Sequence, residues 1–379
     1  MKIYYFGPYN VVGSKYKRRS ATSAIAKINY ILYALNQAGY YVDLISSSYI
    51  LENRWCFAKG GKTQINKMIT INLSPGFGYK TVVGKIFSLI FTISCILIKL
   101  LKIKATDTLI VYHGNWYSKY VLLAKRIKKF QLIVEVEEIY TYAFKKNIKE
   151  LRKELYFINS ADKLLLVNDL LQNYLKFPKE KTLISYGPYQ VSANENVSFK
   201  DDKIHLVYAG SFSLRKSGAQ SAIAAANYLP EQYVMHILGF GDNETTNSLL
   251  KQITIINKTS KCKVVYEGEK RGIEYEKFMK SCHIGLCTQK LSCDYTLYAF
   301  PSKVLAYFGF GLNVVTAPLV ALSASSINDF LTYYKEDSPQ AIAEAIINAK
   351  RFSKETLWGV IKTLNDTFVA GLKQIIETK

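Results

Sequence analysis

The chain has 379 residues, of which 49% are hydrophobic and 21% charged, and it carries a formal net charge of +21. That length suits about two domains, because single cores stop growing near ~250–300 residues, and the composition excludes a disordered chain. Six cysteines without a paired C-x-x-C spacing argue against zinc and read as reduced, mostly buried, cytosolic thiols.

The first half alternates strand and helix signals. Ile3–Phe6 reads as a strand running into Gly7, without the long apolar core or small-residue cleavage site of a signal peptide. Lys17, Arg18 and Arg19 follow it as candidate attractors of an anionic acceptor or a lipid headgroup. Ala21–Ala38 has helical spacing and ends at Gly39, and Tyr41–Ile45 reads as a strand.

Residues 85–104 hold an uncharged run, Ile86 to Ile98, of 13 residues, too short for the ~20 of a spanning helix. Wound as a helix, Lys85, Ser88, Thr92, Cys95, Lys99 and Lys102 fall on one narrow stripe. Two readings are open: a core helix exposing only that stripe, or a helix whose broad apolar face enters a bilayer while the lysines meet lipid phosphates. The core or mixed reading is favoured, and the basic first half keeps the membrane reading open.

Thr108–His113 and Leu132–Glu137 read as strands around a Tyr117–Lys129 helix, and Leu164–Val167 and Thr182–Tyr186 continue the pattern. His113 ends its strand, where it suits a sugar hydroxyl or a purely structural role. Glu137 and Glu138 sit at the end of theirs. Each is a candidate general base with a pKa raised by partial burial, or else a helix cap or an ion-pair partner of Arg126 or Lys129.

Residues 187–203 lose periodicity and read as a linker, after which β/α alternation restarts. His205–Tyr208 is followed by Gly210, Ser211, Arg215 and Lys216, a glycine-bearing basic loop suited to phosphate oxygens or to plain solvation. Ala219–Leu229 reads as a helix. Tyr233–Leu238 runs into Gly239-Phe240-Gly241, and a helix follows over Asn243–Ile253. Val264–Tyr266 runs into Glu267-Gly268, where a backbone loop suits a nucleobase or an ordinary turn. After the Tyr275–Ser281 helix and the Ile284–Cys287 strand comes Tyr298-Ala299-Phe300-Pro301-Ser302-Lys303, a helix start that is either an anion seat or a simple cap. Asn313–Thr316 is a strand, and Ser338–Lys350 and Glu355–Lys379 are helices.

The pattern is α/β: two Rossmann-like domains facing across a cleft. Their bounds are 1–190, a linker at 191–203, 204–354 and a C-terminal helix 355–379. The charge is lopsided. Residues 1–195 hold 29 Lys+Arg against 12 Asp+Glu, a net +17, and residues 196–379 hold 21 against 17, a net +4. A field of that strength points to an extended anionic partner or to a solubilising surface. No Asp-x-Asp pair is available to hold a metal on a diphosphate, so no metal and no cofactor is expected.

In order along the second half, strand-Gly210-Ser211, Lys216, Gly239-Phe240-Gly241, Tyr266-Glu267-Gly268 and Phe300-Pro301-Ser302-Lys303-Val304-Leu305-Ala306-Tyr307 with Gly311 resemble the donor domain of GT-B-fold glycosyltransferases. The likeness is to the family-four type that builds bacterial surface polysaccharides, and it covers nearly the whole chain. It implies that 1–190 is the acceptor-binding, membrane-facing domain, that 204–354 is the donor-binding domain, and that the C-terminal helix 355–379 crosses back to the first domain. It implies that Ser302, Lys303 and Lys216 contact the diphosphate of a nucleotide-sugar, a substrate rather than a cofactor, and that His113 lies near the donor sugar. The family's pair of glutamates spaced eight apart falls here on Tyr298 and Ala306, so ribose and sugar must be held otherwise. The resemblance implies a glycosyltransferase peripheral on the cytoplasmic face of the cell membrane. It would work in capsule-like polysaccharide synthesis, on an acceptor linked to polyprenyl diphosphate, with an anionic membrane surface and no nucleic acid as partner. The rivals are a nucleotide-sugar epimerase on the same fold and a non-enzymatic basic membrane-binding protein.

Overall fold

The structure, a computed structural model, describes residues 1–11, 13–143, 147–192, 197–212, 217–291 and 300–378. The chain forms two compact units, one of Met1–Pro188 with Asp366–Lys379 and the other of Tyr189–Asn365.

The first unit begins with β1 (Ile3–Gly7), α1 (Thr22–Gln37), β2 (Val42–Ser46), β3 (Cys56–Ala58), β4 (Gly61–Gln64), β5 (Ile69–Leu73) and β6 (Gly76–Gly78). It continues with α2 (Val82–Leu100), β7 (Thr108–Tyr112), α3 (Ser118–Lys128), β8 (Gln131–Val136), α4 (Tyr140–Ala143), α5 (Ile148–Asn159), β9 (Lys163–Leu166), α6 (Asp169–Leu175) and β10 (Thr182–Ile184). Eight strands form one sheet in the order β10-β9-β8-β7-β1-β2-β5-β4, parallel except where β4 pairs with β5. The central strand β7 is buried along its whole length, as its near-continuous apolar run suggests, while β1, β2 and β8 each keep one half-buried residue. From β1 the chain winds outward to β2 and β5 and then crosses to β7 on the other side. The sheet's switch point therefore lies between β1 and β7.

Two features depart from expectation. The stretch from residue 56 to 78 holds four short strands, with β3 and β6 as a separate antiparallel pair. In α2, the middle of the polar stripe points inward, its end lysines Lys85 and Lys102 stay exposed, and much of the apolar face points out. Ser88 and Thr92 are buried, and the Ser88 hydroxyl donates to the Phe77 carbonyl at 2.7 Å. Lys99 Nζ donates to Ser74 Oγ at 3.1 Å, and burial pulls that ammonium down to about 8. Val82, Val83, Ile86, Phe87, Ile90 and Ile98 are all exposed. The reading of α2 as a core helix showing only its polar stripe is thus inverted. Hydrogen-bond partners on β6 and its approach attract the stripe, and on the apolar side Phe87 and Phe91 meet the rings of Phe77 and Phe57 while the residues named above stay exposed.

The second unit contains β11 (Ile204–Ser211), α7 (Gly218–Ala225), β12 (Tyr233–Phe240), α8 (Asn243–Thr259), β13 (Lys263–Gly268), α9 (Gly272–Ser281) and β14 (Ile284–Cys287). Then come α10 (Lys303–Gly309), β15 (Asn313–Thr316), α11 (Val320–Ser323), β16 (Leu331–Tyr333), α12 (Pro339–Ile347) and α13 (Lys354–Glu377). Its six-stranded sheet is wholly parallel, in the order β13-β12-β11-β14-β15-β16, with the switch point between β11 and β14.

The last turns of α13 belong to the first unit. Phe368 stacks on Tyr30 with ring centroids 5.7 Å apart, and Tyr40 donates to Glu377 at 2.9 Å. Buried Lys163 donates to the Ile375 carbonyl at 2.5 Å and to the Thr378 carbonyl, so its cation sits on the helix's negative end.

Candidate functional site

The carboxyl ends of β11, β12 and β14 bring several sequence candidates together. Gly210 and Gly239 are paired neighbours on adjacent strands. A Cβ on Gly239, whose φ is +147°, would fall 1.8 Å from the Gly210 carbonyl oxygen, so this approach requires glycine. Lys303, the first residue of α10, carries its ammonium over the Tyr208 ring at 4.2 Å from the centroid. A Cβ on Gly210 would lie 3.2 Å from Lys303 Nζ. The bare Gly210 backbone therefore lies beside a lysine at the sheet's switch point, a place suited to an anion. Ser302 is exposed and helical, with φ −54° and ψ −18°, and its hydroxyl caps no backbone N–H. Pro301 precedes it, and Ser211 is exposed at the tip of β11. Gly241 leaves room for Phe212, whose Cβ an added methyl would approach to 3.0 Å. Arg215, Lys216 and Tyr298 lie outside the described residues.

Sequence reasoning missed what holds this switch point open. The Tyr307 hydroxyl, one turn beyond Lys303, accepts from Ala209 N at 3.0 Å and donates to the Leu286 carbonyl at 3.2 Å, bridging β11 to β14. Gly285 makes room for the tyrosine ring, since a Cβ there would lie 2.3 Å from it. Four-residue spacing from Lys303 places Tyr307 on the same side of α10, and that was the available signal.

Glu267 occupies a register shift between β12 and β13, where Ile237 pairs with Tyr266 and Leu238 with Gly268. The bulge turns its carboxylate onto His236 Nδ1 at 2.8 Å, and that hydrogen bond holds the carboxyl below its ordinary range. His236 Nε2 lies 2.9 Å from His205 Nδ1, and His205 Nε2 lies 2.8 Å from Asp201. The Glu267 side chain is thus tied into a four-member polar chain beneath Phe199, which stacks on His205 at 3.7 Å.

In the first unit, a cavity of about 480 Å³ lies at the carboxyl ends of β1, β2, β7 and β8, against that sheet's switch point. His113 and Glu138 line it. His113 is buried, 3.4 Å from Glu154 and stacked on Tyr140 at 4.9 Å. Glu137 pairs instead with buried Lys27 at 3.3 Å, so its ion-pair partner is Lys27 rather than Arg126 or Lys129. Lys27 also donates to the Ser185 carbonyl at 2.7 Å. Behind them lies Glu135, which the sequence reading passed over. It is fully buried and receives a hydrogen bond from Tyr5. Burial first, and then the Glu137 charge, push its carboxyl up to about 8.

Among the basic candidates, Lys17, Arg19, Lys85 and Lys102 are exposed. Arg18 is not: it is buried, with its guanidinium donating to the Ser48 carbonyl at 3.3 Å. With Lys99 also turned inward, these two residues drop out of the outward-facing basic surface. Among the described residues, no group of three or more His, Cys, Asp or Glu is placed to hold a metal ion.

Neither a family model nor a curated protein matches the chain. Solved structures do. Anabaena HepE, in complex with UDP and glucose, is 12% identical with a TM-score of 0.63, over 98% of this chain and 99% of that one. The lipopolysaccharide outer core galactosyltransferase WaaB is 13% identical with a TM-score of 0.64, over 99% of each chain. The trehalose 6-phosphate synthase of Burkholderia multivorans is 8% identical with a TM-score of 0.65, over 98% of this chain and 96% of that one. The fold is therefore the GT-B fold of these glycosyltransferases, along nearly the entire chain.

Proposed function

We propose that this protein moves a sugar from a nucleotide-sugar to a saccharide carried on a polyprenyl diphosphate, at the cytoplasmic face of the cell membrane, in surface-polysaccharide synthesis. The observation that carries the donor half of this reading is the Lys303 ammonium beside the bare Gly210 backbone at the switch point of the second sheet. A diphosphate seated there gains a charge-assisted contact that strengthens as the leaving group takes up negative charge, and the side-chain cation does this without a metal ion. The fold supports the reading, as do neighbours solved with UDP or UDP-glucose. The acceptor half rests on the net +17 of the first 195 residues and on the outward apolar face of α2. If the reaction inverts configuration, Glu138 is the carboxylate of the Glu137–Glu138 pair that lines the strand-end cavity and suits the base.

The test is calorimetry of the whole protein against UDP-glucose, UDP-galactose and GDP-mannose, with Lys303→Ala in parallel. One donor should bind, and the variant should lose about 1–3 kcal/mol of that affinity, the scale of a hydrogen bond to a charged group. Binding of no nucleotide-sugar, or equal affinity in Lys303→Ala, refutes the donor assignment. Donor turnover to an epimer without any acceptor would favour the epimerase rival.

A further inference from the structure

The strand-end cavity of the first unit does not stand alone. Its lining includes the Ser47 hydroxyl, fully buried, and the Asn115 carboxamide. Neither the Ser47 oxygen nor either polar atom of Asn115 has a hydrogen-bond partner. Buried donors and acceptors are almost always satisfied, so orphaned ones lining a cavity mark where a ligand's hydroxyl groups are received.

At the mouth, Arg19 donates to the Tyr49 hydroxyl at 2.6 Å, and Tyr49 meets the Trp116 ring edge-on at 5.8 Å. These three residues also line a second cavity of about 410 Å³. The second cavity adds Lys85 and Lys119 on one hand and Leu89 and Ile93 of α2 on the other. Beyond Leu89 the same helix exposes Ile86, Phe87 and Ile90. Three chemistries thus follow one another along the groove: partnerless hydroxyl and amide groups at the strand ends, cations with Arg19 at the shared mouth and Lys85 and Lys119 in the second cavity beyond it, and an apolar flank running out onto the exposed face of α2.

We infer that this groove binds one elongated anionic amphiphile, with a hydroxyl-bearing head at Ser47 and Asn115, a diphosphate at Arg19, Lys85 and Lys119, and an isoprenoid chain along Leu89 and Ile93. Bidentate donors and mobile ammonium groups suit a diphosphate, and the apolar strip beside them suits hydrocarbon rather than water. The inference deepens the acceptor half of the proposed function and rests on it for the identity of the head group. The groove's preference for a diphosphate joined to a hydrocarbon stands apart from the donor site.

The probes are farnesyl diphosphate, inorganic diphosphate and farnesol, titrated calorimetrically into the full chain, with UDP as an independent reading of the second unit. Farnesyl diphosphate should bind at least about tenfold more tightly than either fragment, because only it spans the mouth and the flank. Arg19→Ala and Lys119→Ala should each weaken it by about tenfold or more. Ile93→Asp should also weaken it, while leaving inorganic diphosphate unaffected. None of the three should change UDP binding. For a farnesyl-diphosphate-linked monosaccharide, Asn115→Ala should remove the extra affinity that the sugar confers. Inorganic diphosphate binding as tightly as farnesyl diphosphate would reduce the groove to an anion patch and overturn the inference. Indifference to Arg19→Ala and Lys119→Ala would overturn it as well. Absence of UDP binding with farnesyl diphosphate still bound in this pattern would refute the donor reading alone.

Discussion

Charging the outward face of α2 should release the protein from anionic membranes. Val82, Val83, Ile86, Phe87 and Ile90 are 75%, 76%, 55%, 51% and 58% exposed. Together they leave about three whole apolar side chains in water, each worth ~1.5–3 kcal/mol on full burial, so insertion offers ~5–9 kcal/mol. Lys80, Lys85, Lys102 and Lys104 are exposed around the same helix, and a lysine at an anionic surface adds ~1 kcal/mol. Ile86→Glu with Ile90→Glu removes ~2–3 kcal/mol of that transfer energy and adds two charges that resist leaving water. Vesicle affinity should therefore fall at least about a hundredfold. The assay is co-flotation with vesicles containing phosphatidylglycerol, at low and at high salt. Wild-type binding should weaken in salt without vanishing, because screening acts on the lysines and spares the apolar term. Both replaced residues are exposed, so donor binding should be unchanged and serves as the folding control. Equal flotation of the variant and the wild type would refute the assignment of this face to lipid, as would failure of the wild type to float.

Three further outcomes test the interior. Gly239→Ala forces a methyl group to 1.8 Å from the Gly210 oxygen at φ +147°, whereas Gly268→Ala, at φ +69°, meets nothing within 4 Å. The first should cost more than ~3 kcal/mol and the second ~1–2 kcal/mol, read as shifts in the urea midpoint for the second unit. Glu135 has a folded pKa raised to about 8, so between the ordinary carboxyl range and that value the native state holds a proton that the unfolded chain has released. Stability of the first unit should accordingly fall as pH rises across that window, by at most ~1.4 kcal/mol per pH unit, and level off above it. Glu135→Gln should flatten the slope, and an unchanged slope in that variant would assign the titration elsewhere. Lys163→Met removes the cation that binds the Ile375 and Thr378 carbonyls, so amide exchange should accelerate in residues 366–378 and not in the first turns of α13.

What was legible in the sequence was whatever had a strong period or a buried run. Strands β1, β2, β7, β8, β11, β12 and β14 announce themselves as short apolar runs ending in glycine or polar residues, and the chain order of the second-half motifs led directly to Gly210 and Lys303. The short β3–β6 segment escaped because β4, Gly61–Gln64, is exposed along its whole length and so carries no alternation. Helix α5 was missed although Asn147 caps it, accepting from Glu150 N at 3.1 Å, in the Asn-x-x-Glu spacing that marks helix starts. The case of α2 is different in kind. Its stripe was visible, but the side that meets the protein depends on a carbonyl at Phe77 and a hydroxyl at Ser74 coming within reach, and periodicity alone carries no such information. Arg18 fails for a related reason, since a run of basic residues does not reveal which of them the Ser48 carbonyl will bury.

In the proposed reaction the two switch points would meet complementary demands. Sugar transfer needs one place that tolerates growing negative charge on a leaving diphosphate and another that receives a hydroxyl nucleophile and its proton. In the second unit, glycines leave the backbone bare beside a lysine, and Tyr307 keeps β11 and β14 bridged beneath them. In the first unit, the same topological position is lined by Ser47, Asn115, His113 and Glu138, a set that exchanges hydrogen bonds rather than balancing a diphosphate. Among the cations there, Arg19 stands at the mouth on Tyr49, which in turn meets Trp116, and Lys85 and Lys119 line the cavity beyond it. A ligand with its hydroxyl at the strand ends and its charge at the mouth fits that order, and a bare inorganic anion does not. For the same reason Arg19→Ala should depress acceptor affinity and leave donor affinity intact, while Lys303→Ala does the reverse. A variant series in which both substitutions move the same affinity would break the division of labour on which the proposed reaction rests.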